Sequence, residues 1–281
     1  MTALRLLPAL AILVAAGAFT TPLGADEPPS PRIDCLTSNE VARLGGSLKH
    51  FTERLLQRAP VKIVAFGSSS TAGSGASTPE NNYPNRLAGE LRARFPDVAI
   101  QVINRGIGGE DAREMLARID RDVRDEHPDL ILWQVGTNAL LREDGIALEA
   151  GKIREGLARM RATGADVVLI DPQYAPKVLK DPDAEPMVAL LSLIAADKGV
   201  PVFHRFALMR QWRESGVPFE TSLSPDLLHM NDWSYRCFAR NLANALVTSF
   251  KEAAALIKPR DGHTANAALP AQPLQLSAAP R

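Results

Sequence analysis

The chain has 281 residues, 46% hydrophobic and 23% charged, enough to bury one sizeable core and too apolar for a disordered protein. Lys plus Arg number 32, as do Asp plus Glu, and no strongly basic block stands out, so the electrostatic footprint of a nucleic-acid binder is missing. A small or neutral substrate fits this balance better.

In chain order, residues 1–25 read as an export signal: Arg5 supplies a positive start, Pro8 to Phe19 is almost wholly apolar, and Leu23-Gly24-Ala25 offers a small-residue cleavage site before Asp26. The apolar run is short for a membrane span, so the expected product is a periplasmic or secreted protein without stable membrane insertion. Residues 26–35 have the Pro-rich, polar composition of a linker, and residues 259–281, rich in Ala and Pro, lack any helical or strand period. The folded domain is expected over 36–258. The two cysteines, Cys35 and Cys237, read either as a disulfide, which an exported compartment permits, or as two separate buried thiols.

Five short apolar runs have the continuous character of strands covered on both faces: Val61 to Phe66, Val98 to Ile103, Leu130 to Val135, Val167 to Ile170 and Val200 to Phe203. Between them Pro84 to Phe95, Asp111 to Glu126, Gly145 to Thr163 and Ala184 to Lys198 carry apolar residues at three- and four-residue spacing. A helix around Ser38 to Arg58 opens the domain and one from Asp232 to about Lys258 closes it. The alternation predicts an α/β fold, a three-layer α/β/α sandwich on a parallel sheet.

Ligands of open parallel sheets bind beyond the carboxyl ends of the strands, and four of the five following loops carry chemistry. After the first strand comes Gly67-Ser68-Ser69-Ser70-Thr71-Ala72-Gly73, a tight turn able to expose a serine; the absence of Gly-Lys-Ser/Thr excludes a Walker A loop. The second loop, Asn104 to Glu110, contains Gly106, Gly108 and Gly109 and runs into a helix, either as plain turn chemistry or as backbone N–H groups aimed at an anion. The third, Gly136-Thr137-Asn138, offers an amide that either caps a helix or donates to an oxyanion. Past the fifth strand, Asp226 and His229 stand three residues apart, a spacing at which a carboxylate can orient an imidazole that deprotonates a serine. The other histidines fit less well: His50 and His263 lie in a helical stretch and the tail, His127 precedes a strand, and His204 is a weaker alternative base.

Ser, Gly, Asn and Asp-x-x-His in this order, each after a successive strand, resemble the four motif blocks of the SGNH hydrolases, the GDSL-type esterases and lipases, from about Val61 to Leu246. The resemblance implies a flavodoxin-like five-stranded sheet and a triad of Ser69, His229 and Asp226, with no metal and no organic cofactor. It also implies an oxyanion hole of the Ser69 N–H, the Gly109 N–H and the Asn138 amide. Two positions depart from the family pattern: Ser68 replaces the Asp of Gly-Asp-Ser, and Ala139 replaces the Asp of Asn-Asp. Ser69 is chosen from three consecutive serines by its spacing from Gly67 and Gly73, with Ser70 next in line. The expected activity is hydrolysis of short O-acyl esters, plausibly acetyl, on a small molecule or a glycan. The alternatives are an O-acyltransferase with the same site and a non-catalytic glycan-binding protein. The loop from Pro172 to Pro186 is read as a border of the substrate pocket, with Tyr174 and Lys177 as contacts, or as a solvated connection.

Overall fold

A computed structural model of the protein describes Cys35, residues 43–142 and residues 145–257. The signal and tail readings therefore lie outside the described residues, as does the linker apart from Cys35.

The chain runs α1 (Lys49–Leu56), β1 (Val61–Gly67), α2 (Ser69–Ala72), α3 (Tyr83–Arg94), β2 (Ile100–Gly106), α4 (Ala112–Asp122), β3 (Leu130–Gln134), α5 (Thr137–Leu141) and α6 (Ile146–Arg161). It continues through β4 (Asp166–Ile170), α7 (Pro176–Leu179), α8 (Ala184–Lys198), β5 (Val202–Phe203), α9 (Arg205–Glu214), α10 (Phe219–Ser222) and α11 (Asp232–Leu256). All five strands are parallel, in the order β2-β1-β3-β4-β5. This is the flavodoxin-like order, and its switch point lies where the chain leaves β1 for β2 on one side and then β3 on the other. Helices α1, α3 and α11 cover one face, while α4, α6 and α8 pack side by side on the other.

Three boundaries differ from expectation. The second strand starts at Ile100 and continues to Gly106, because its pairing partner β1 carries the register Val61↔Ile100 through Gly67↔Gly106. The fifth strand shortens to two residues, since only Val202 and Phe203 find partners on β4. Among the described residues of the opening helix, only Lys49 to Leu56 is helical. The short helices at the strand ends and α9 carry too few turns to show a period in sequence.

The core is continuous across both faces. Trp133 on β3 is fully buried, and its indole N–H donates to Met115 Sδ at 3.2 Å. Its ring lies so close to α6 that a Cβ on Gly156 would fall 2.3 Å from it, which explains a glycine in mid-helix. Phe238 on α11 meets Tyr83 and Phe203 edge to face at 4.8 and 5.3 Å, tying α11 to α3 and to the sheet. Cys35 and Cys237 are joined as a disulfide with Cα atoms 4.9 Å apart, pinning the start of the fold to α11. No described helix is long and apolar enough to cross a membrane.

Candidate active site

The carboxyl ends of β1, β2 and β3 converge at the switch point. At the end of β1 the chain turns through Gly67 and Ser68 directly into α2, leaving Ser69 partly exposed while Ser68 and Ser70 are buried. The turn is held from below. Gln134, buried at the end of β3, accepts from the Ser68 N–H at 2.9 Å and from the Ser68 and Thr71 hydroxyls at 3.2 Å each. A side chain at Gly67 has no room, because its Cβ would lie 2.4 Å from Thr71 Oγ1 and 2.8 Å from Gln134 Oε1. Gly106 at the end of β2 passes closer still, its Cβ position 2.1 Å from the Ala72 nitrogen. The Ser68 departure from the family pattern thus becomes a second donor to Gln134.

Arg118 of α4 binds these strand ends together. It is buried beneath Phe66, with its guanidinium 4.3 Å from the ring centre, and it donates to the backbone carbonyls of Gly67 at 3.0 Å and Arg105 at 2.9 Å. Its charge is met by Glu110 at 2.6 Å and Asp122 at 2.9 Å. Donors from Arg121, with help from Arg118 and against desolvation, hold the Asp122 carboxyl down at about 2, so it stays ionised.

The imidazole that meets Ser69 comes from the loop between α10 and α11. Leu223 and Met230 pair across its neck, and the Ser224 N–H donates to the His229 carbonyl at 2.8 Å. Inside this closed turn Asp226 Oδ1 accepts from the backbone N–H groups of Leu228 and His229, both at 3.0 Å, and Leu227 takes a left-handed φ of 56° to allow it. The other carboxylate oxygen, Oδ2, lies 2.5 Å from His229 Nδ1, and His229 Nε2 lies 2.9 Å from Ser69 Oγ. An ionised carboxylate only accepts, so Nδ1 carries the ring hydrogen and Nε2 is free to accept from the Ser69 hydroxyl. Desolvation raises the Asp226 pKa, yet the His229 and Leu228 donors outweigh it and leave the carboxyl below its ordinary value.

The structure thus brings Ser69, His229 and Asp226 into one hydrogen-bonded run. Ser70 is buried and outside it. The Asn104–Glu110 loop lies beside Ser69: a Cβ on Gly108 would stand 3.8 Å from the Ser69 Cβ. Gly109 adopts a φ of 83°, and its carbonyl accepts from Arg142 at 2.6 Å. The Asn138 amide donates to the Glu110 carbonyl at 2.8 Å, linking the third loop to the second; a carboxamide has a second N–H to offer.

The remaining histidines are engaged elsewhere. His50 pairs with Asp129 at 2.8 Å at the amino ends of the strands, and His204 pairs with the buried Asp171 at 3.2 Å. His127 ends the turn before β3, and His263 lies outside the described residues. Tyr174 packs between Phe206 and Phe219, at 5.1 and 6.1 Å, while Lys177 lies exposed on α7 with its backbone N–H donating to Leu227 at 3.3 Å. Among the described residues no group of His, Cys, Asp and Glu could hold a metal ion.

Sequence reasoning missed the buried polar residues that hold this site: Gln134, Gln173, Arg118 and Arg205. For Gln134, Gln173 and Arg205 the one sequence signal is a polar side chain at the end of an apolar strand or close after it, and Arg118, in the middle of α4, has none. Arg205 is fully buried; desolvation pulls its pKa down to about 10 against the pull of Asp171, so it stays a cation at neutral pH.

A cleft of about 630 Å³, bordered by Gly75, Ser77, Ser224, Leu227 and Trp233, runs beside the base loop. Another of about 650 Å³, bordered by Val61, Ile100 and Asp129, opens at the opposite end of the sheet, away from Ser69.

A model of the family described as "Non-GDSL lipase-like family" matches residues 34–252. The chain is 32% identical over 77 residues to an acetylxylan esterase of Geobacillus stearothermophilus, a stretch that makes up 27% of this chain and 32% of that one. Its fold is similar to that of a two-domain esterase active on acetylated mannans, co-crystallised with mannopentaose. That match has a TM-score of 0.63 and 20% identity, and covers 77% of this chain and 58% of the other. A crystallised acetylxylan esterase of Geobacillus stearothermophilus matches with a TM-score of 0.55 and 19% identity, over 68% of this chain and 94% of its own. At such identities the structural likeness carries the fold alone. The chain spans about a third of the curated esterase and under two thirds of the two-domain one.

Proposed function

The chain belongs to the non-GDSL lipase-like family, and from that premise we propose that it is an exported serine esterase that removes short acyl groups, chiefly acetyl, from carbohydrate. The observation that carries the chemistry is the Asp226–His229–Ser69 run, at 2.5 and 2.9 Å, on the carboxyl rim of a parallel sheet. In this reading His229 takes the Ser69 proton as the hydroxyl attacks the ester carbonyl. The N–H groups of Ser69 and Gly109 and the Asn138 amide receive the developing oxyanion; losing one such donor costs about 100- to 1,000-fold in turnover. The proton then passes to the leaving sugar alkoxide, and water repeats the sequence on the acyl-enzyme. The ionised Asp226 balances the imidazolium that forms.

Acetylated carbohydrate as substrate is supported by the similar esterases, which are named for acetylxylan and acetylated mannans. Export is supported by the signal-like composition of residues 1–25 and by a disulfide, which suits an oxidising compartment.

The test is hydrolysis of p-nitrophenyl esters from acetyl to palmitoyl and of acetylated xylan and mannan, by the mature protein beside Ser69→Ala and His229→Ala. Activity should peak at acetyl, release acetate from a glycan and vanish in both variants. Undiminished turnover in either variant sinks the mechanism, and a rate rising with chain length sinks the acetyl assignment. The mature N-terminus should be Asp26.

A further inference from the structure

Gln173 lies on the stretch that leaves β4, 1% exposed, beside the equally buried Asp171 and Arg205. Its side chain reaches two loops at once. Oε1 accepts from the Thr137 hydroxyl at 2.9 Å and from Arg205 Nη2 at 2.9 Å, while Nε2 donates to the Leu228 carbonyl at 3.3 Å. Thr137 is the residue before Asn138, and Leu228 is the residue before His229.

The direction of the amide is settled by Arg205. A guanidinium has donors and no acceptor, so the carboxamide oxygen must face it and the amide N–H groups must face the Leu228 carbonyl. Arg205 is itself fixed, with Nε donating to the Asp171 carbonyl at 2.9 Å, and Asp171 Oδ1 accepts from the Phe206 N–H at 2.8 Å at the start of α9. A Leu at position 173 would fill similar space without the desolvation that a buried amide requires, but it would take an acceptor from the buried Arg205. The return on that cost is geometric: Gln173 ties together two loops that share no strand. Gln134, by contrast, serves the Ser69 turn alone.

We propose that Gln173, oriented by Arg205, is a positioning residue that sets the Asn138 oxyanion turn and the His229 loop at a fixed separation. The proposal rests on the reading of Ser69 and His229 as the reacting pair. Small displacements at such a pair are costly, a misplacement of about 1 Å reaching about 100-fold in rate.

Two variants separate positioning from packing. Thr137→Val removes one donor and keeps the shape. Gln173→Glu keeps the acceptors for Thr137 and Arg205, and so leaves the cation paired, but loses the N–H that holds Leu228. With p-nitrophenyl acetate, each should lower kcat about tenfold per fluorophosphonate-titrated site with KM within about twofold, and Thr137→Ser should restore the rate. The double variant should lose less than the product of the two single losses, because both act through one side chain. Wild-type kcat per titrated site in both variants overturns the proposal, as does a loss explained wholly by fewer titratable sites. Ser69→Ala is run alongside: if it keeps activity, the underlying reading falls; if it is inactive while the two variants turn over normally, the positioning role alone falls.

Discussion

The turn that carries Ser69 is packed against backbone, whereas the loop that carries His229 lies on the surface and closes on itself. Around Ser69, Gly67 and Gly106 leave no space for a methyl group, Gln134 satisfies Ser68 and Thr71, and Arg118 clamps two strand ends from beneath. Around His229 the restraints are an antiparallel pair at the neck, two backbone N–H groups on an exposed carboxylate, and single bonds to Lys177, Gln173 and Gly75. The placement of Ser69 is therefore inherited from the packing of the sheet, and that of His229 from a handful of hydrogen bonds. Damage to the first half should appear as lost fold, and damage to the second as lost turnover in a folded protein.

The largest effect belongs to Gly106→Ala. The added Cβ would meet backbone atoms of Ala72 and Thr71 at 2.1 and 2.6 Å, contacts that no rotamer change can relieve. Little folded protein should be recovered, as read by circular dichroism and gel filtration; a stable, fully active variant would break the comparison on the nucleophile side. Arg118→Met comes next. It strands the partly buried Glu110 carboxylate, leaves Asp122 to Arg121 alone and removes the donors to the Gly67 and Arg105 carbonyls, and should cost about 3 kcal/mol in urea unfolding.

On the His229 side, Asp226→Asn should lose far less stability than Arg118→Met while kcat falls on the order of 100-fold, short of the roughly 10,000-fold seen when the acid of a buried triad is changed. The difference follows from exposure: the Asp226 side chain is 39% accessible, so solvent shares in screening the imidazolium. A fall in stability as large as that of Arg118→Met would erase the distinction between the halves. Because the Asp226 pKa is depressed, its hold on the loop is complete above the ordinary carboxylate range and is lost only as pH falls through the lowered value.

The smallest effect tests a histidine outside both halves. The hydrogen bond that His204 donates to Asp171 raises its pKa above 6.5, against desolvation. Protonated His204 therefore stabilises the fold fully below 6.5, and that contribution is lost as pH rises through the higher folded-state value. His204→Gln should lower Tm below pH 6.5 and leave it nearly unchanged well above its folded-state pKa; an equal gap at both would show that packing, not charge, sets the difference.

The elements that could be read from sequence are those whose physics is local. A strand buried on both faces must be apolar along its length, so all five strand positions were visible, though Ile100–Gly106 and Val202–Phe203 took their limits from pairing partners in β1 and β4. Amphipathic helices such as Ala112–Asp122 show their period in the sequence itself. Ser69, Asn138, Asp226 and His229 could be named because loops at strand ends must carry the chemistry of this fold class, and the structure brings Ser69, Asp226 and His229 into mutual contact. Whether Cys35 meets Cys237, and what holds the two halves at their distance, were decided by tertiary structure alone. Gln134, Gln173, Arg118 and Arg205 make bonds that span 32 to 66 residues of sequence. A lone polar residue in an apolar stretch does not announce its partners. Its meaning arises only when burial removes water and leaves one geometry in which every donor finds an acceptor.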